Sequence, residues 1–206
     1  MNGFIGRRWG LFVVVTAWLC ALAVGNWAPA TAQETVRVFV GNISGLENID
    51  ARVAAVVDAQ GRALAFMQST DDGWNRSFAK VYEGQVSGNT LTARAGDGTQ
   101  FTATLEGNQI RGTVAGGQWV GTPANRGQAG LYRARYGDEV QLAIVLPDGS
   151  WVAGAFNPTT RELLRTWNSR GGSTNWEGDT LVIPQADPQA PPIQLTYWDT
   201  ANNPFS

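Results

Sequence analysis

Five side chains carry the chemistry most open to this sequence. Trp74 lies in Asp71-Asp72-Gly73-Trp74-Asn75 and Trp176 in Ser173-Thr174-Asn175-Trp176-Glu177-Gly178-Asp179, both polar loop settings, and Trp167 stands one short segment before Trp176. An indole in such a setting offers a flat face on which a sugar ring or an aromatic ligand can stack. Asp72 and Glu177 flank two of these rings, so Trp74, Trp167, Trp176, Asp72 and Glu177 form the expected ligand-binding set. The same stretches hold acids close enough in sequence to cooperate, Asp71 with Asp72 and Glu177 with Asp179. Glycoside hydrolysis needs two carboxyls about 5 to 10 Å apart. A productive pair converges from separate strands, however, and Asp in turns commonly serves local hydrogen bonding, so no catalytic residue is assigned. Trp119, Trp151 and Trp198 stand in alternating strands and are expected to pack, with Trp151 and Trp198 buried.

Composition removes most other chemistry. The chain has no histidine, which excludes Ser-His-Asp and Cys-His nucleophiles and His-based zinc sites. Lys80 is the only lysine, and no motif supports a Ser-Lys pair around it. Carboxylates and tyrosines are left for acid and base work. The Asp71–Asn75 stretch lacks the full alternating acidic loop of a calcium site. No metal and no cofactor is therefore expected.

These residues must be positioned by a domain that follows an export signal. A basic start at Arg7 and Arg8, an apolar run from Leu11 to Val24 and the small-residue site Ala30-Thr31-Ala32 predict cleavage before Gln33. The alternatives are an uncleaved membrane anchor, which would be the protein's one link to a membrane, and a lipoprotein signal at Cys20. The apolar run breaks at Gly25 and Asn26, short of the ~20 residues of a spanning helix, and bulky Trp18 and Leu19 stand where a lipidation site wants small residues. Removal of residues 1–32 takes away the one cysteine and leaves thirteen basic against seventeen acidic residues, a net charge of −4. That acidity argues against nucleic acid, which calls for a basic face. A disulfide-free domain is stabilised by burial, and domains near 150 residues bury about 70% of their unfolded surface. The expectation is one extracytoplasmic domain, secreted or periplasmic, over residues 33–206.

From residue 36 onward the hydrophobic period is close to two, which predicts short strands separated by turns. Phe101, Ala103 and Leu105 share one face and Thr102 and Thr104 the other, while Leu91, Ala93 and Ala95 alternate with Thr92 and Arg94. Val140 to Leu146 is apolar on nearly every residue, the mark of a strand covered on both faces, and is expected at the centre of the core. Gly88-Asn89 and Gly107-Asn108 suit tight hairpins, as do Gln60-Gly61, Asp97-Gly98, Gly137-Asp138 and Asp148-Gly149. The echo of Val86–Leu91 in Leu105–Ile110 points to two hairpins of one sheet. Asn157 to Leu164 is read as a turn between strands at Val152–Phe156 and Leu163–Trp167, the alternative being one or two helical turns capped by Asn157. Pro184, Pro188, Pro191 and Pro192 form a stiff connection, and a last strand, Ile193 to Trp198, returns to the sheet. The fold class is all-β, an antiparallel meander of roughly ten strands forming a barrel or two packed sheets.

The residues Ala129-Gly130-Leu131-Tyr132-Arg133-Ala134, followed by Ile144-Val145-Leu146-Pro147-Asp148-Gly149, resemble a group of bacterial secreted or membrane-anchored β domains that share a GLYRA…VLPDG stretch. The similarity reaches back loosely to Val36–Gly41 and covers most of residues 36–156. It implies a meander of Gly-punctuated hairpins and assigns no reaction or ligand. Three functions are open to the sequence: a non-catalytic extracytoplasmic module binding a glycan or a protein, a carboxylate-dependent glycan hydrolase, and a structural part of a cell-surface assembly.

Overall fold

The computed structural model describes residues 36–47, 49–69, 79–168, 175–185 and 189–206. Trp74, Asp71 and Asp72 lie outside the described residues. The rest is a two-part antiparallel meander without helices among the described residues. Strands β1 (Arg37–Ser44), β2 (Ala51–Val57), β3 (Arg62–Ser69), β4 (Lys80–Ser87), β5 (Thr90–Ala95), β6 (Gln100–Glu106), β7 (Gln109–Val114) and β8 (Gly117–Pro123) pair in sequence order, and β8 pairs back onto β1 to close a barrel. The chain then repeats the plan. Strands β9 (Gly130–Tyr136), β10 (Glu139–Val145), β11 (Trp151–Phe156), β12 (Leu163–Asn168), β13 (Asn175–Glu177), β14 (Thr180–Ile183) and β15 (Ile193–Tyr197) form a seven-stranded sheet in the order β12-β11-β10-β9-β15-β14-β13. The last strand returns to β9 through Tyr197 opposite Tyr132. The all-β meander thus divides into a barrel and a packed sheet, with fifteen described strands where the turns alone suggested about ten.

Strand composition follows what covers each face. β5 and β6 alternate buried and exposed without exception, since their outer faces meet solvent. β2 is buried along its whole length and β3 along all but its first residue. Ala51, Val53, Ala55 and Val57 face the barrel interior, whereas Ala54 and Val56 pack against the seven-stranded sheet. β10 is covered on both sides, as its apolar run predicts, with Val140, Leu142 and Ile144 toward the barrel and Ala143 and Val145 on the opposite face.

The barrel interior is filled by side chains. Tyr82, Phe101 and Trp119 form a chain of rings with centroids 5.7 and 5.4 Å apart, and alanines on neighbouring strands leave room for them. Several inward positions tolerate no side chain at all. A Cβ on Gly41 would stand 2.0 Å from the Val120 carbonyl oxygen, and one on Gly112 would stand 2.1 Å from that of Thr102. Sharply coiled strands bring neighbouring backbones that close only at glycine.

The turns follow the sequence expectations. Leu146-Pro147-Asp148-Gly149 closes through Gly149 N–H donating to Leu146 O at 2.9 Å, with Gly149 at φ +80°. Residues 157–162 join β11 to β12 as a hairpin: the Asn157 side-chain oxygen accepts from the Thr159 and Thr160 amides, which is why the segment also reads as a helix cap. Trp198 departs from expectation. β15 ends at Tyr197, the Trp198 amide bonds to Leu131 O, and the indole is half-buried with the Arg133 guanidinium 4.8 Å above it. The ring packs against the edge of the core between barrel and sheet rather than inside it.

Candidate functional site

The face of the seven-stranded sheet turned away from the barrel collects side chains from all seven strands into one cluster. Pairing register sets its layout. Trp167 stands opposite Ala153, Ala153 opposite Ala143, Ala143 opposite Tyr132, and Tyr132 opposite Tyr197. One row across five strands therefore has two buried alanines between aromatic rings. Trp176 joins from β13: its ring lies 5.3 Å from that of Tyr132, which in turn meets Tyr197 edge-on at 5.4 Å. On a flat sheet β13 and β9 would be about 14 Å apart, three strand spacings. The contact between their rings requires this face to be concave.

The two rings assigned from their sequence context thus belong to one cluster. Trp167 and Trp176 are both half-buried, the first with the Arg165 guanidinium over its ring and the second packed against Tyr132. Trp151 is buried at the end of the same face, as a packing residue should be. Glu177 projects to the other side of β13, because side chains alternate along a strand; it is exposed and accepts from Gln194 Nε2 at 3.5 Å. Asp179 is engaged by Arg126 at 3.7 Å, and Arg126 also holds Asp199 at 2.7 Å while covering the Tyr197 ring. Glu177 therefore stands outside the aromatic row, and the Asp179 charge is compensated. Among the described residues no cluster of three acidic, histidine or cysteine side chains could hold a metal ion.

The next row along the strands holds the polar groups of this face. Arg165 stands opposite Ala155, Ala155 opposite Gln141, and Gln141 opposite Ala134. Arg165 Nη2 donates to Glu139 Oε2 at 2.5 Å, and its guanidinium lies 5.3 Å from the Trp167 ring centroid. Gln141 is 1% exposed. Burial also acts on the phenols: it pushes Tyr132 well above the ordinary tyrosine range, against a partly offsetting hydrogen bond from the Gly127 amide at 3.2 Å. It raises Tyr197 to about 12, with the Asp199 charge adding to the effect and Arg126 opposing it. Both phenols stay neutral at physiological pH, as hydrogen-bonding and stacking groups.

Tyr132, Gln141 and Tyr197 are the members of this face that were not picked out from sequence. Tyr132 is embedded in the GLYRA stretch, whose residues read as folding signature. Gln141 did leave a signal, as the one strongly polar residue in the apolar run from Val140 to Leu146.

A separate cleft of about 300 Å³ lies between Lys80, Asp97, Arg161 and Phe205. Its cations are spent internally. Lys80 pairs with Asp97 at 2.7 Å and Arg161 with Glu83 at 3.2 Å, and the Lys80 ammonium, with Thr99, holds the Asp97 carboxyl far below the usual range. The cleft offers no uncompensated charge to a ligand. No protein-family model, no curated protein and no solved structure matches the chain, so what this face does has to be argued from its own geometry.

Proposed function

We propose that this chain is an exported, non-catalytic binding module that takes its ligand on the aromatic concave face of the seven-stranded sheet. The observation that carries this is the convergence of Trp167 and Trp176, from strands at the two edges of the sheet, on one cluster with Tyr132 and Tyr197. Flat rings that are half-buried are already held in place, so a ligand gains stacking contact without the cost of ordering them. The net charge of −4 left after residue 32 and the pairing of Arg165 with Glu139 favour a neutral glycan or peptide over a nucleic acid.

The test is a broad glycan and peptide array probed with the exported protein and its Trp176→Ala variant. Wild type is expected to bind, and the variant to bind about two- to tenfold more weakly, on the order of the 0.5–1.5 kcal/mol of a ring-stacking contact. Silence of the wild type, or equal binding by the variant, would favour a structural role in a surface assembly. Export itself is checked by the mass of the secreted protein, expected to begin at Gln33; a membrane-retained chain with its N-terminus intact would refute it.

A further inference from the structure

We infer that Gln141 is the residue that recognises the ligand, and that the group it recognises is a neutral amide carried beside a stackable ring. The inference rests on the binding reading above and adds the chemistry of the ligand. Neither Nε2 nor Oε1 of Gln141 has a hydrogen-bond partner among the described residues, although the side chain is 1% exposed. A buried carboxamide with both ends unmatched opposes folding, and an apolar residue of the same size would serve a central strand better. The side chain is on the concave face, in step with Ala143 and Val145 and opposite to the barrel-facing Val140, Leu142 and Ile144.

The chemistry of the site narrows what completes it. A carboxamide presents a donor and an acceptor together in one plane, and the group that matches both atom for atom in that plane is another amide, offering its carbonyl to Nε2 and its N–H to Oε1. Vicinal hydroxyls can meet the pair only with two groups out of that plane, which is why the amide-free sugar is the comparison. A carboxylate would satisfy Nε2 and repel Oε1. The cation of this row that could hold a carboxylate, Arg165, is already committed to Glu139 and to the Trp167 ring. Ala134 and Ala155 stand on either side of Gln141, so its paired cross-strand neighbours bring only methyl groups. The aromatic row lies two residues along the strands, about 7 Å away, which is the span between an amide substituent and the ring that bears it. An N-acetylated sugar and an aromatic carboxamide both have this form.

Two matched pairs of probes distinguish these sources, titrated into the full exported protein by calorimetry: N,N′-diacetylchitobiose against cellobiose, and phenylacetamide against benzyl alcohol. Wild type is expected to bind at least one amide probe about tenfold more tightly than its amide-free counterpart, the pair that responds identifying the source. Gln141→Leu, and the unbranched Gln141→Met, should lose that preference, bind the two members alike, and melt at a higher temperature than wild type when no ligand is present. No amide preference in wild type overturns the inference: if the amide-free probes bind, the aromatic face still stands as the site, and if nothing binds, both readings fall. A preference that survives in both variants, or variants that melt below wild type, also overturns it, because Gln141 would then be serving the fold.

Discussion

Tyr132 and Tyr197 meet edge to face at one end of the aromatic row, and the environment that buries their rings also acts on their protons. Burial, reinforced by the Asp199 charge, raises the Tyr197 phenol to about 12, against an ordinary value near 10 that applies in the unfolded chain. The folded state therefore holds this proton more tightly. Its contribution to stability is fully present below pH ~10 and is lost as pH rises through about 12, because the unfolded chain ionises first. Tyr82, buried in the barrel, and Tyr132 are pushed further in the same direction. Tyrosinate absorbance followed with pH should show Tyr197 ionising near pH 12, with Tyr82 and Tyr132 ionising only as the protein unfolds. Tyr197→Phe should remove the titration near pH 12 and reduce the loss of stability between pH ~10 and ~12. A folded-state Tyr197 titrating near 10 would show that the ring is solvated and that the row is not closed around it.

At the scale of strands, the sequence was informative wherever one face differed from the other. Phe101, Ala103 and Leu105 against Thr102 and Thr104 gave β6 directly, because a barrel strand with a wet outer face has two environments in strict alternation. Val140 to Leu146 could be placed centrally because the absence of alternation is itself a signal, and β2 and β3 carry it too, as strands walled by the barrel interior on one side and the sheet on the other. Less was legible where elements are short or pairing is distant. β13 and β14 span three and four residues, too few for a period, and this is one source of the shortfall in the strand count. Nothing local marks the division after β8, since the chain passes from barrel to sheet through an ordinary connection; the division lies in the pairings of β8 with β1 and of β15 with β9. The candidate site divides the same way. Trp167 and Trp176 were recognisable from their polar neighbourhoods, whereas their meeting with Tyr132 depends on the curl of the sheet. Gln141 is visible in the sequence as the one strongly polar residue of Val140–Leu146, but its significance depends on its burial and on its lack of hydrogen-bond partners among the described residues.

Across the whole molecule the barrel and the sheet share a core, which decides how the protein unfolds. Phe66 projects outward from β3, fully buried, and meets Phe156 of β11 edge-on with ring centroids 5.7 Å apart; Phe156 in turn meets Phe205 at 5.7 Å. Gln68 on the same strand donates through Nε2 to the Ala153 carbonyl at 2.9 Å, in a space that exists because residue 154 is glycine. The chain end is tied to both parts: Arg133 of the sheet donates to Pro204 and Ser206 carbonyl oxygens, and Asn203 donates to Glu83 of the barrel. Neither part can lose its structure without exposing the apolar face of the other, so the two should unfold in a single transition. Phe66→Ala leaves a cavity in that shared layer and is expected to cost ~3–5 kcal/mol, although the residue contributes nothing to the barrel interior or to the aromatic face. Native-state hydrogen exchange provides the measurement, because the slowest amides of β6 and β10 report the opening of barrel and sheet separately. In wild type both should exchange with the same free energy, and in Phe66→Ala both should fall by the same amount. Loss of protection in β10 with β6 unchanged would mean that the barrel folds alone and the sheet is only docked on it.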